Sequence, residues 1–382
     1  MQGSNRHTLL TFVGDIMLDT RLRPPRTILS MPSRAICGAG YQDGASLFYV
    51  NDPDAISFLQ KSGMDINGIA QTSHANKSIP VALPSRRPQF FPFDRIRSEL
   101  ARGTILFGNL ECPLSVLGRR ERNDVCYSAP PEYCSALSDA GFSVVTLSNN
   151  HCLDYGEQAL LDTIDKLRSI GIAPLGVVSK DDDGSHRRVL LKNQDFTLGC
   201  VAYNAVGPAQ VYAADGELGG IPFNEIEVRR DLAFFRKEAD IVAIFVHWGA
   251  ENVSTPTKHQ IQMAHMCVDL GATLVIGHHS HVPGAIEEYK HGLIAYSLGN
   301  CVFGHGHYQW GDNIILHARI CRSGWINAEI VPIGTSGQDV FRPRLINGNR
   351  ARRVLDTVAQ ASPSARLRFN KSMSRAYLRR RP

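Results

Sequence analysis

Five short apolar runs in this chain each stop at residues able to bind a cation or move a proton. They are Leu9 to Val13, Thr104 to Phe107, Phe142 to Leu147, Ile241 to Val246 and Thr273 to Ile276. Too short for core helices and rich in β-branched and aromatic residues, they read as buried strands. FVGD ends at Asp15 and LFGNLE carries Asn109 and Glu111. TLSNNHCLD carries Asn149, Asn150, His151 and Asp154; IFVHWGAE carries His247 and Glu251; VIGHHSH carries His278, His279 and His281. One Asp or His after a strand is usually a satisfied structural residue, but five in series are not. In open α/β sheets, side chains beyond the carboxyl ends of several strands converge on one crevice, which predicts a single shared site.

Helical patterns separate the runs. Glu157 to Ile170 carries Ala159, Leu160, Ile164 and Leu167 at helical spacing and stops before Gly171; Glu225 to Ala239 and Lys258 to Leu270 read the same way. Strands alternating with helices predict a layered α/β fold. Arg188 to Tyr203 reads as a β-hairpin, and Gly292 to Leu298 and Asp312 to Ile333 add strands, so the sheets are expected to be mixed. From Arg23 to Pro92 the rhythm breaks into Pro, Gly and Ser, which predicts an ordered insertion or lid. The expected organisation is a domain over 8–335 interrupted by that insertion, then a C-terminal helix and basic tail over 336–382.

The chain has 382 residues, 43% of them hydrophobic and 20% charged, which excludes disorder as the main state. No apolar run nears the roughly 20 residues that span a bilayer, and nine scattered cysteines without a CxxC pair predict reduced thiols in a cytoplasm. The net charge of +5 owes much to arginines between Arg366 and Arg381. A solvated end is favoured there over contact with an anionic partner, and thin aromatic interleaving gives no case for nucleic acid. Neither a P-loop nor a dinucleotide fingerprint occurs.

Neutral imidazoles, carboxylates and an amide oxygen suit Mn, Zn or Fe(II), and the absence of thiolates from the motifs argues against a structural zinc site. Six or so ligands exceed what one ion needs. They suit two ions roughly 3.5–4 Å apart that share a carboxylate and activate water.

The ordered motifs GDIMLD (14–19), GNLECPL (108–114), SNNHCLDYG (148–156), HWGAE (247–251), GHHSHV (277–282) and YSLGNCVF (296–303) resemble those of the CapA family. That family is named for poly-gamma-glutamate capsule synthesis and is related to the calcineurin-like metallophosphatases. The resemblance implies a four-layer α/β/β/α sandwich with a two-metal centre. By motif, Asp15 serves one ion, Glu111 bridges both, Asn150 and His247 serve the second, and His279 and His281 give one imidazole to each. His151 is the implied general acid, oriented by Asp154 or Asp19. Asp19, Asn109, Asn149, His278, Glu251 and Asn300 are expected to touch substrate or brace the ligands. Glu251 could do so by bonding a ligand histidine, or else pair at the surface.

The implied activity is metal-dependent hydrolysis, a metal-bound hydroxide attacking a phosphoester. The alternatives are action on an amide or gamma-glutamyl bond, and a non-catalytic metal-binding accessory role in polymer synthesis. The expected substrate is an anionic small molecule, peptide or polymer. Two positions depart from the phosphatase pattern: Met17 stands where a DxH histidine would be, and Glu111 replaces an aspartate. A weaker or absent first ion follows. Thr20 also stands where an arginine is common in the CapA pattern, with Arg21 after it.

Overall fold

The strand Thr8–Met17 is the axis of the larger sheet. It runs parallel to Ile105–Leu110 on one side and antiparallel to Asn313–Cys321 on the other, and at its carboxyl end it also pairs in parallel with Asn300–Phe303. Phe142–Thr146 and Ala173–Leu175 extend the parallel side; Gly324–Gly334 and Ala376–Arg379 extend the antiparallel side. A second sheet takes the order Ile286–Tyr289, Gly292–Ala295, Leu274–His278, Ile241–His247, Thr197–Asn204, Arg188–Lys192. Both sheets are mixed, as the sequence predicts. This computed structural model describes residues 7–19, 92–121, 125–178, 186–213, 218–304 and 311–380 in full, and 36–42, 45–50 and 79–82 by backbone.

Three apolar clusters explain the layering. Phe12, Phe107, Leu316 and Ile330 of the larger sheet pack directly on Leu198, Phe245 and Ile276 of the second. Across that interface the Phe245 ring centroid lies 5.9 Å from Phe12 and 5.3 Å from Phe107, which themselves stack at 5.0 Å within the larger sheet. The outer face of the larger sheet is covered by helices Tyr133–Ala140 and Gly156–Ser169 through Leu137, Leu160, Ile164 and Leu167. Helices Glu225–Glu238 and Lys258–Asp269 cover the second sheet through Val228, Leu232, Phe235, Ala264 and Val268. Helix, sheet, sheet and helix are thus four layers built on three dry seams.

The helices begin and end where local chemistry dictates. Asn224 accepts the amide of Glu227, and Thr257 with Gln260 forms a reciprocal capping box. Gly348–Ala361 buries Ala351, Val354, Leu355 and Val358 against the inter-sheet core.

The tail, patternless in sequence beyond that helix, folds. Arg368–Phe369 and Ala376–Arg379 add strands to the larger sheet, burying Ala376 and Leu378. Arg375 holds this edge by donating to Glu99 and Glu329, while His317, buried between Thr11 and Glu99, completes the network.

The stretch expected as an insertion overlaps a separate compact unit, Asp19–Gln89. Its backbone forms an antiparallel sheet of Ile36–Gln42, Ala45–Val50 and Ile79–Ala82. Thr20, Arg21, His305 and His307 lie outside the described residues.

One close backbone approach fixes the business end of the first strand. The Asp15 amide donates to the Gly299 carbonyl at 2.9 Å, and a Cβ on Gly14 would fall 1.8 Å from that oxygen. Gly14→Ala should therefore lower stability by about 3 kcal/mol, because backbone rather than a flexible side chain must move. Urea unfolding checks this, and an unchanged midpoint would show that the two strands can separate freely.

Candidate metal centre

Strand register delivers the polar residues in two rows. Across the larger sheet Asn300, Asp15, Asn109 and Thr146 are neighbours, with register shifts on both sides of Asp15 that re-aim its side chain. Across the second sheet Asn204, His247 and His278 are neighbours. The rows sit at the carboxyl ends of parallel strands, except that Asn300 opens its own strand and joins the row from the amino end. Residues just past those ends, Glu111, Asn150, His151, His279 and His281, join the rows.

Glu111 is the common point. Its carboxylate is fully buried and neither oxygen has a hydrogen-bond partner. Around Oε1 stand His247 Nε2 at 3.7 Å, His281 Nε2 at 3.9 Å and His151 Nε2 at 4.0 Å. His247 Nε2 also meets Asn150 Oδ1 at 2.8 Å and His279 Nδ1 at 3.2 Å. Two triads can each hold an ion, and they share Glu111. One is Glu111, His247 and His279; the other is Asp15, Glu111 and His281, with ligand atoms within 4.8 Å of one another in each. The residues fit divalent ions because lone pairs from nitrogen and oxygen converge on a buried carboxylate that the chain leaves unbonded.

The other expected residues brace these. Asn109 donates to Asp15 Oδ1 at 2.9 Å, and its oxygen is taken by Thr146 and Asn149, so it positions Asp15 rather than offering a ligand atom. Asn149 Oδ1 accepts the His151 amide at 3.0 Å. Asn300 accepts from His281 Nδ1 at 2.9 Å, which turns Nε2 toward Glu111. His278 is buried, with Nδ1 3.3 Å from Asp15 Oδ1 but not aligned for a hydrogen bond. Glu251 is exposed on the turn after its strand and acts on Glu111 and His281 through charge. Asp19 is buried and belongs to the second compact unit. Met17 is buried in the apolar core.

His151 faces the cluster from the side. Its Nδ1 lies 2.7 Å from Asp154 Oδ2, and that oxygen also accepts the Tyr127 amide at 2.7 Å. The Tyr127 ring packs 4.4 Å from the imidazole, and Phe303 packs against both Tyr127 and His281. Tyr127, Phe303, Thr146 and Asn204 escaped the sequence reading. Asn204 alone carried the same signal, a polar residue ending the apolar run Leu198 to Tyr203. Trp248, by contrast, is buried and donates to the Tyr296 carbonyl, a packing role.

Electrostatics keep the imidazoles in ligand form and oppose ionisation of Glu111. Burial, reinforced by neighbouring imidazoles, holds His247 well below its ordinary pKa, and burial brings His279 down to about 4. Burial and then Asp15 push Glu111 well up. Burial also pushes Asp15 upward, but His278 and His281 outweigh it and leave its pKa lowered. His279 and His281 have φ of 89° and 58°, a left-handed backbone costing about 1–3 kcal/mol each for such residues. That turn points both rings into the cluster.

A sequence profile described as "Bacterial capsule synthesis protein PGA_cap" matches residues 9–305. The capsule biosynthesis protein CapA of Bacillus anthracis is 28% identical over 254 residues, covering 64% of this chain and 61% of its own length. A probable polyglutamine synthesis accessory protein of Mycobacterium tuberculosis is 30% identical over 206 residues, covering 51% and 54%. The chain thus spans less than two thirds of the length of these relatives. Among solved structures, a phosphatase from Mycoplasma pneumoniae overlaps at a TM-score of 0.43 and 14% identity, over 63% of this chain and 88% of that one.

A cation bound beside Glu111 must displace its proton, whereas the histidines with lowered pKa values are already neutral near neutral pH. Added Mn²⁺ or Zn²⁺ should therefore raise the thermal midpoint, more at about pH 8 than at about pH 6. Glu111→Gln should erase most of that rise while leaving the metal-free protein at least as stable, since the buried group can no longer ionise. Equal metal-induced shifts in wild type and variant would place the ion elsewhere.

Proposed function

The chain belongs to the PGA_cap family of bacterial capsule synthesis proteins, and from that premise we propose that it is a metal-dependent hydrolase acting on a phosphoester. The observation that carries this reading is the buried, unbonded Glu111 carboxylate ringed by imidazole and amide lone pairs, with the His151–Asp154 pair at its edge. Asp15, Glu111 and His281 would hold one divalent ion, and Glu111, His247, His279 and Asn150 the other. Mn, Zn or Fe(II) suits this donor set. When bound, such ions supply Lewis acidity toward the substrate and lower the pKa of water.

The chain's own groups do the rest. Asp154 accepts the His151 Nδ1 proton and fixes the ring, leaving Nε2 toward the cluster to give a proton to a departing oxygen. Asn109 and Asn300 hold Asp15 and His281 in place, so little reorganisation is needed when charge develops.

A second reading follows from the relatives. Proteins similar to this chain are named for capsule biosynthesis and for PGA biosynthesis, and the poly-gamma-glutamate for which the family is named favours a carboxylate polymer and cleavage of a gamma-glutamyl or other amide bond. The third possibility, an accessory protein that binds metal without turnover, draws on the name of the Mycobacterium tuberculosis relative and on Met17 in place of a ligand histidine.

Metal analysis, followed by turnover of model phosphoesters and of gamma-glutamyl peptides, separates the three. His151→Asn should reduce kcat by about a hundredfold to ten-thousandfold with metal content unchanged. Cleavage of gamma-glutamyl peptides alone would favour the second reading. Full metal occupancy with no turnover of either class would favour the accessory role.

A further inference from the structure

Among the described residues, helices Tyr133–Ala140 and Gly156–Ser169 cover the outer face of the larger sheet over only part of its width. At the antiparallel end, Arg319, Asn327 and Arg379 are register partners on three adjacent strands, so their side chains share one face. Tyr377 stands two residues along the same face, opposite Arg368 on the edge strand. The inward partners Ala376, Leu378 and Ala328 are buried, which fixes the outward direction of the arginines. Arg368 and Arg379 are exposed and Arg319 is half-buried.

Local charges do not cancel this set. Glu99 and Glu329 are matched by Arg102 and Arg375, and Asp240 by Arg322. Among the described residues Arg319, Arg368 and Arg379 have no ion-pair partner, and Arg380 donates to the Ser323 and Trp325 carbonyls. The result is an uncompensated guanidinium surface, with Arg319 and Arg379 about 10 Å apart at about 4.8 Å per strand. Because the tail is woven into the sheet, these charges are displayed in fixed positions rather than on a frayed end.

We propose that this sheet face, centred on Arg319, Arg368 and Arg379, is a docking surface for a flexible carboxylate polymer. Guanidinium forks match carboxylates two bonds at a time, and a flat face with arginines about two strands apart suits an extended chain with repeated side-chain carboxylates. Tyr377 is the one large apolar residue exposed on this face among the described residues, too little for a lipid surface. The choice of polymer rests on the carboxylate-polymer reading above.

The surface is remote from the candidate centre. Arg319 pairs with Leu9, and Asp15 lies six residues further along that strand, about 20 Å at about 3.3 Å per residue. A long polymer can span the two places, and a dipeptide cannot.

The test is equilibrium binding of long poly-glutamate and of a glutamyl dipeptide to the full chain, without added metal, at low and physiological salt. The proposal expects salt-sensitive binding of the polymer, none of the dipeptide, and a loss of about tenfold or more in the triple variant Arg319→Glu, Arg368→Glu, Arg379→Glu. Lys237→Glu, an exposed reversal on a helix of the other sheet, should leave binding unchanged. Equal polymer binding by the triple variant, whose fold is checked by circular dichroism, overturns the proposal. So does tighter binding of DNA or of anionic vesicles than of poly-glutamate. Because the readout is binding without metal, failure of the hydrolase reading leaves this outcome untouched.

Discussion

The strand ends of this protein are organised around a carboxylate that the chain buries and does not bond. An isolated ionised carboxylate in a dry site is far too costly to keep, so Glu111 either stays protonated or waits for a cation. The surrounding groups do not relieve it, because His247, His279 and His281 are driven toward neutrality by the same burial. The chain thus offers lone pairs and withholds compensating charge. The bracing residues have the opposite character: Asn109 is bonded to Asp15 and to Asn149, and Asn300 to His281. Braced amides around underbonded donors are the arrangement that a bound cation would complete.

Much of this was legible in the sequence because strand physics writes it in a simple form. A buried strand between packed helices reads as a continuous apolar run, so a polar residue at its end stands out. Asp15, Asn109, His247 and His278 were visible for that reason. The strands also proved longer than their apolar cores, running on to Met17, Leu110, His247 and His278, because backbone pairing continues past the last apolar side chain.

What escaped the sequence was set by tertiary contacts. Tyr127 and Phe303 meet His151 and His281 only after distant segments fold together, and neither residue type announces such a role. The row Asn204, His247, His278 depends on parallel register, which a single sequence does not state. The tail was misread for a related reason: four alternating residues, Ala376 to Arg379, are too few to rank as a strand until an edge is there to receive them.

The left-handed turn through His279 and His281 bears on how such a protein drifts over generations. Glycine would hold those backbone angles with less strain, so selection for stability alone would tend to replace both histidines. Their presence in this chain runs against that pressure. A descendant that keeps this sandwich but has let the turn relax to glycine or asparagine has stopped needing what the imidazoles hold, and it can be recognised by that change before any assay is run.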